Sequence, residues 1–274
     1  MNYKEEFNLL IDNYKNRVEL EFTDRWNNWN KELKDIEVYE VVGGILARQI
    51  SIGFGFIESR ASWNENVAPI IMRSMIDNYI NFAWILQDPL ERSKRFIYFG
   101  LGQEKLIVEH RKKDMESRDN LPNEKMMIEH SENWINAHRY TFLTEVSFKT
   151  WSEKTVRQMA EESDCIDLYN YAYSPFSCAT HNMWNHIAKY NLIESNNPLH
   201  RNFKIPIVHI IQPSIHYLEL SAKYIDKMLE RFDKVFKYNG KTENSYEYLL
   251  KELDLFEEQA NNFFNSENDN KNEE

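Results

Sequence analysis

Between residues 3 and 34 the side chains of Phe7, Leu10, Ile11, Tyr14, Val18, Phe22, Trp26, Trp29 and Leu33 recur mostly three or four positions apart, with Lys and Glu between them. That period places the apolar groups on one face and predicts an amphipathic helix. Punctuation elsewhere in the chain is sparse. Gly and Pro number only seven each in 274 residues, while aromatic residues reach 14%. Turn-rich sandwiches and barrels lack the breaks they require, and long helices fit better.

The next segment, 38 to 60, is apolar nearly all round and holds Gly43, Gly44, Gly53 and Gly55. Glycine weakens a helix by about 1 kcal/mol relative to alanine. Close approach by neighbouring helices is the expected compensation. The 17-residue run from Val41 to Ile57 carries Arg48 and Gln49 near its centre. A charge there is costly in lipid, so the run reads as a buried core helix rather than a membrane span. An arginine in such a helix demands a partner.

Asn64 or Asn66 can cap a helix that has Pro69 in its first turn and runs to about Gln87. Asp88-Pro89-Leu90-Glu91 then starts another, reaching roughly Lys113. Leu121-Pro122-Asn123 marks a break, followed by shorter helices near 124 to 140 and 152 to 164. A helical segment from about 166 to 190 contains Pro175, which either kinks it or starts a second helix after Ser174. Residues 205 to 237 read as a long helix interrupted near Pro213 and closed by Asn239-Gly240, and 243 to 264 as a final amphipathic one. The expected fold is all-α: a single multi-helix, bundle-like domain over residues 1–264, with a disordered acidic tail at 265–274.

The formal net charge of −11 opposes nonspecific binding to DNA. The basic run Arg111-Lys112-Lys113 is flanked by Glu109, Asp114 and Glu116 and reads as a solvated face. No secretory leader is visible at Met1-Asn-Tyr-Lys-Glu-Glu, and Cys165 and Cys178 are the only cysteines. We expect reduced thiols in a cytoplasmic protein. Phosphate-cradling loops are absent from the sequence, and no cofactor is expected. Metal ligation is not expected either. His181 and His186 are five apart, about 140° around a helix, and His209, His216 and Glu219 do not complete a ligand set. Homo-oligomerisation stays open.

Chemistry-bearing residues concentrate between Tyr169 and His186. Tyr173, Ser177 and His181 recur every four residues, which stacks them in one column on a helix face. Arg73 and Asp77 share the same spacing on a helix otherwise covered by Ile70, Ile71, Met72, Met75, Ile76 and Ile80. These residues and Arg48 define a candidate polar pocket in which Arg48, Asp77 and Tyr173 bind a ligand or partner. His181, Arg73 and Ser177 are the candidates for catalysis. The leading reading is recognition of a small ligand or protein partner within a stress or phage-defence module. A second is a metal-independent ribonuclease in which His181 transfers a proton and an arginine stabilises phosphorane-like charge. Ser177 and His181 as nucleophile and base lack a strained turn and an oxyanion hole nearby. In a third reading the residues merely satisfy one another in a structural or oligomerising protein.

With Arg73-x-x-x-Asp77, Asp88-Pro89 and Tyr173-x-x-x-Ser177-x-x-x-His181 in view, the chain resembles a bacterial helical family catalogued as domain of unknown function 5677, over about residues 38 to 195. That resemblance implies an Arg followed one turn later by an acidic residue, then an Asp-Pro step, then a late Ser-x-x-x-His element. It carries no activity with it. A looser resemblance is to helical nucleases and toxins of prokaryotic conflict systems, which use Arg-x(4 to 6)-His. This chain departs from that motif, because Arg201 precedes His209 with seven residues between and no Arg stands at that distance before His181 or His186.

Overall fold

The N-terminal amphipathic pattern forms α1 (Tyr3–Asn28) in a computed structural model that describes residues 3–116, 122–137, 151–208, 211–240 and 243–272; the side chains of 122 and of 260 onward are excepted. After it come α2 (Ile36–Glu58), α3 (Ala68–Ile85), α4 (Pro89–Glu116), α5 (Pro122–Asn136) and α6 (Val156–Glu162). Next is a continuous helical run made of α7 (Ile166–Leu168), a π turn (Tyr169–Tyr173) and α8 (Ser174–Thr180). The remaining elements are α9 (Trp184–Tyr190), the antiparallel pair β1 (Leu192–Glu194) and β2 (Lys204–Pro206), α10 (Ile215–Phe236) and α11 (Ser245–Asn272). The fold is all-α, with one two-stranded hairpin among the described residues. Of the tail expected to be disordered, 265–274, residues 273 and 274 and all the side chains lie outside the described residues.

The described chain groups into two compact units, each discontinuous in sequence. The first comprises Met1–Asn30, Leu46–Tyr79 and Asp167–Glu274. Its core takes Leu10, Ile11, Tyr14 and Val18 from α1, Phe56 and Ile57 from α2, and Met72, Met75 and Ile76 from α3. Leu218, Ile225, Met228 and Phe232 join them from α10, and Leu249 from α11. Each such side chain contributes roughly 1.5–3 kcal/mol on burial. The buried stripe of α1 then continues as Glu21 and Arg25 rather than Phe22 and Trp26. Arg25 grips both carboxylate oxygens of Asp233 at 2.7 Å, which lets a charged pair stand at the edge of the core. Glu21 accepts from the backbone N–H (3.3 Å) and hydroxyl (2.6 Å) of Ser245, satisfying the first turn of α11.

Of the adjacent pair in α2, Gln49 is buried and Arg48 is exposed. The expectation of a buried Arg48 needing a partner is thus corrected: successive helical positions are about 100° apart, and the apolar face takes the amide. Gln49 Nε2 donates to the Tyr224 carbonyl at 3.1 Å, and its Oε1 accepts from Asn78 Nδ2 at 3.0 Å. One amide therefore pins α2 to α3 and α10. Close helix approach occurs at Gly53, where an added Cβ would stand 2.5 Å from Ile225 Cδ1. At Gly44 and Gly55 nothing lies within 4 Å of such a Cβ.

The second unit comprises Lys31–Ile45 and Ile80–Ile166. Val41, Val42, Ile80, Phe82 and Ile85 are buried in it, and Val108 of α4 packs with Ile128 and Ile135 of α5. Trp84 is a polar and aromatic hub. Its indole N–H donates to Glu162 at 2.7 Å, its ring meets Trp151 edge-on at 5.2 Å, and the Arg92 guanidinium lies 3.7 Å from its ring centre. Thr155 and Gln158 form a reciprocal capping box at the start of α6.

Several expected helices are shorter than the sequence suggested: α1 stops at Asn28, and the helix near 152–164 covers only Val156–Glu162. The 166–190 segment ends at Thr180 and resumes at Trp184, and the described residues of 205–214 are not helical, since α10 begins at Ile215. Pro175 is the second residue of α8, in a helical run that does not break there. Ser174 keeps helical dihedrals (φ −63, ψ −47), and its N–H reaches back five residues to the Tyr169 carbonyl. A wider π turn just ahead of Pro175 gives its ring room that an α turn denies.

Candidate functional site

The site lies within the first unit and begins with Arg73 on α3. Flanked by buried Met72 and Met75, the arginine side chain is only 12% exposed. Its polar atoms need partners, and three groups supply them. Nε donates to Ser177 Oγ at 2.8 Å, Nη1 pairs with Asp77 Oδ2 at 3.1 Å, and the guanidinium centre lies 3.2 Å from the centre of the Tyr173 ring. The planar cation is thus held at its edge by hydrogen bonds and on its face by a π system, an arrangement lysine cannot reproduce.

The π turn and α8 bring the other members to it. Ser177 Oγ donates to the Tyr173 carbonyl at 2.7 Å, which leaves its oxygen oriented to accept from Arg73. Behind Tyr173 stacks Tyr169, with ring centres 4.7 Å apart and planes 20° from parallel. Burial, reinforced by the Asp77 charge, raises the Tyr173 phenol above its ordinary value, with Arg73 opposing the shift. Tyr173 therefore stays a neutral donor. Asp77 is 40% exposed and keeps one carboxylate oxygen beyond the one Arg73 engages.

The structure brings together Arg73, Asp77, Tyr173 and Ser177. It does not bring in Arg48 or His181. Arg48 is exposed on α2, with no hydrogen bond or ion pair among the described residues. His181 caps the end of α8 with φ −100 and ψ 11, and it too is exposed. Asn182 takes a left-handed φ of 50, Met183 N–H bonds the Cys178 carbonyl at 2.9 Å and Asn182 N–H the Ala179 carbonyl at 3.3 Å. This paired closure ends the helix one residue before His181, so the four-residue column stops at Ser177. Tyr169 is the member that sequence reasoning missed, although it stands four residues before Tyr173 in the same register. His209 lies outside the described residues, His216 is exposed, and no three His, Cys, Asp or Glu side chains gather to hold a metal among the described residues.

Residues 39–199, more than half of the chain, match the family of unknown function DUF5677, and the chain belongs to that family. The whole Arg73–Asp77–Tyr173–Ser177 cluster falls inside the matched region. No curated protein and no solved structure matches the chain.

Proposed function

We propose that this is a bacterial, cytoplasmic recognition module in which Arg73, Asp77, Tyr173 and Ser177 form a preorganised polar site for a small polar ligand. A protein partner that inserts a polar group makes the same contacts. The observation that carries this reading is the contrast within one ion pair: Arg73 is fixed on three sides and 12% exposed, whereas Asp77 is 40% exposed. A carboxylate held in place by a locked arginine offers an acceptor whose ordering cost is already met before a ligand arrives. The π turn supports the same reading, because such turns concentrate at functional sites. The cytoplasmic part rests on two features. The helical stretch Leu33–Glu58 is long and apolar enough to cross a membrane, yet 56% of its apolar window is buried within the protein. Cys165 and Cys178 are both free thiols.

The same three contacts also fit a structural reading, in which Asp77, Ser177 and Tyr173 serve only to hold Arg73. Thermal-shift titration with a panel of nucleotides, amino acids and sugars separates the two. Recognition requires that some member raise Tm and that Asp77→Asn and Tyr173→Phe abolish the shift while remaining folded. If no member raises Tm and the variants change stability alone, the cluster is structural.

A further inference from the structure

A second feature of the first unit lies away from the Arg73 cluster, where α1 and α10 end side by side. A cavity of ≈ 900 Å³ opens there, lined on one side by Trp29, Phe232 and Phe236. That volume is of the size that small-molecule sites occupy. Trp29 meets Phe232 edge-on at 5.0 Å and Phe236 at 4.4 Å, so the aromatic wall is built from rings that fix one another. Aromatic faces attract cations through the ring quadrupole, tryptophan most strongly.

The polar side of the cavity carries the matching sign. Asp24 lines it, its carboxylate oriented by Asn28 Nδ2 at 2.8 Å and by the Tyr238 hydroxyl. The cavity is also bordered by the last residues of two helices, Asn28 of α1 and Phe236 of α10. A helix C-terminus carries the equivalent of roughly half a negative charge, and here two of them converge. Arg25, whose guanidinium lies 5.0 Å from the centre of the Tyr238 ring, is neutralised by both carboxylate oxygens of Asp233. Lys237 borders the cavity as well, but it is exposed, and its flexible stem lets the ammonium swing into solvent.

We propose that this cavity binds an organic cation whose charge is shelled by methyl or methylene groups, with the head group between Asp24 and the Trp29 ring. A hydrated metal ion or a bare ammonium would leave the aromatic wall unused, and a neutral apolar molecule would leave Asp24 and the helix ends unused.

The test uses the full chain, with choline as the probe and its uncharged isostere 3,3-dimethyl-1-butanol as the comparator, followed by amide and indole chemical shifts at matched ionic strength. Choline should shift signals around Trp29 and Tyr238 saturably, and the isostere should not. Asp24→Asn, which keeps the shape and removes the charge, should weaken choline binding about fivefold or more. Should that variant fail to fold, Trp29→Phe takes its place and should weaken binding about threefold. Equal titration by the isostere, unchanged affinity in the folded variant, or no saturable response from the wild type would each overturn the proposal.

Discussion

Arg73 Nε donates to Ser177 Oγ at 2.8 Å, joining residues 104 positions apart in the chain. The serine hydroxyl is committed as a donor to the Tyr173 carbonyl, so its lone pair faces the arginine without further ordering. Arg73 in turn lies on the Tyr173 ring. Each contact orients the next, as expected of a short polar network under limited solvent access.

Arg73→Lys should lower stability by about 2 kcal/mol in urea unfolding, because an ammonium cannot bond edge-on to Ser177 and Asp77 and stack on Tyr173 together. Arg95, whose ion pair with Glu91 is about half exposed, supplies the control. Arg95→Lys should change stability by less than about 0.5 kcal/mol.

The glycines of α2 should respond differently to the same substitution. Gly44 has open space where a Cβ would go, so Gly44→Ala should raise stability by about 0.5–1 kcal/mol through helix propensity alone. At Gly53 the same change meets Ile225 Cδ1 at 2.5 Å and Ser221 Oγ at 3.3 Å. Gly53→Ala should therefore fall below Gly44→Ala in Tm, by an amount that reports how far Ile225 can move.

Asp226 sets a pH dependence. Burial raises its carboxyl from 3.8 to about 6, against the hydrogen bond from Asn244. Burial raises Glu21 as well. The folded state therefore holds the Asp226 proton more tightly than the unfolded chain does, and folding takes up a proton between these values. Its contribution is full below about pH 4 and is lost as pH rises through about 6, with a ceiling of about 3 kcal/mol. Asp226→Asn should flatten stability across that interval and raise it at pH 7, measured by urea unfolding at several pH values.

Gln49→Leu keeps the volume but removes both amide bonds, leaving Asn78 Nδ2 without this acceptor. Unfolding measurements should show a loss of about 1–3 kcal/mol despite the more apolar side chain.

Helix existence was legible wherever apolar spacing was long and regular, as in α1, or where chain chemistry marked an end. Asn64 does cap the turn before α3, accepting from Asn66 and Val67 N–H, and α4 starts at Pro89 as the Asp-Pro step implies. The spacing of Arg73, Asp77, Tyr173 and Ser177 located four of the six proposed site residues in one place. What failed was phase and termination. Arg48 and Gln49 are neighbours in an apolar run, and the run alone does not say which of them faces inward. The left-handed turn at Asn182 removes His181 from its column, although Asn tolerates that conformation and the signal was present. The β1–β2 pair has three residues per strand, too few for alternation to register.

A double-mutant cycle between Arg73→Ala and Ser177→Ala, read by urea unfolding, tests most directly whether the polar cluster acts as one site. A coupling energy of about 1 kcal/mol or more is the expected result. Additivity within about 0.3 kcal/mol would contradict it and reduce the cluster to independent contacts.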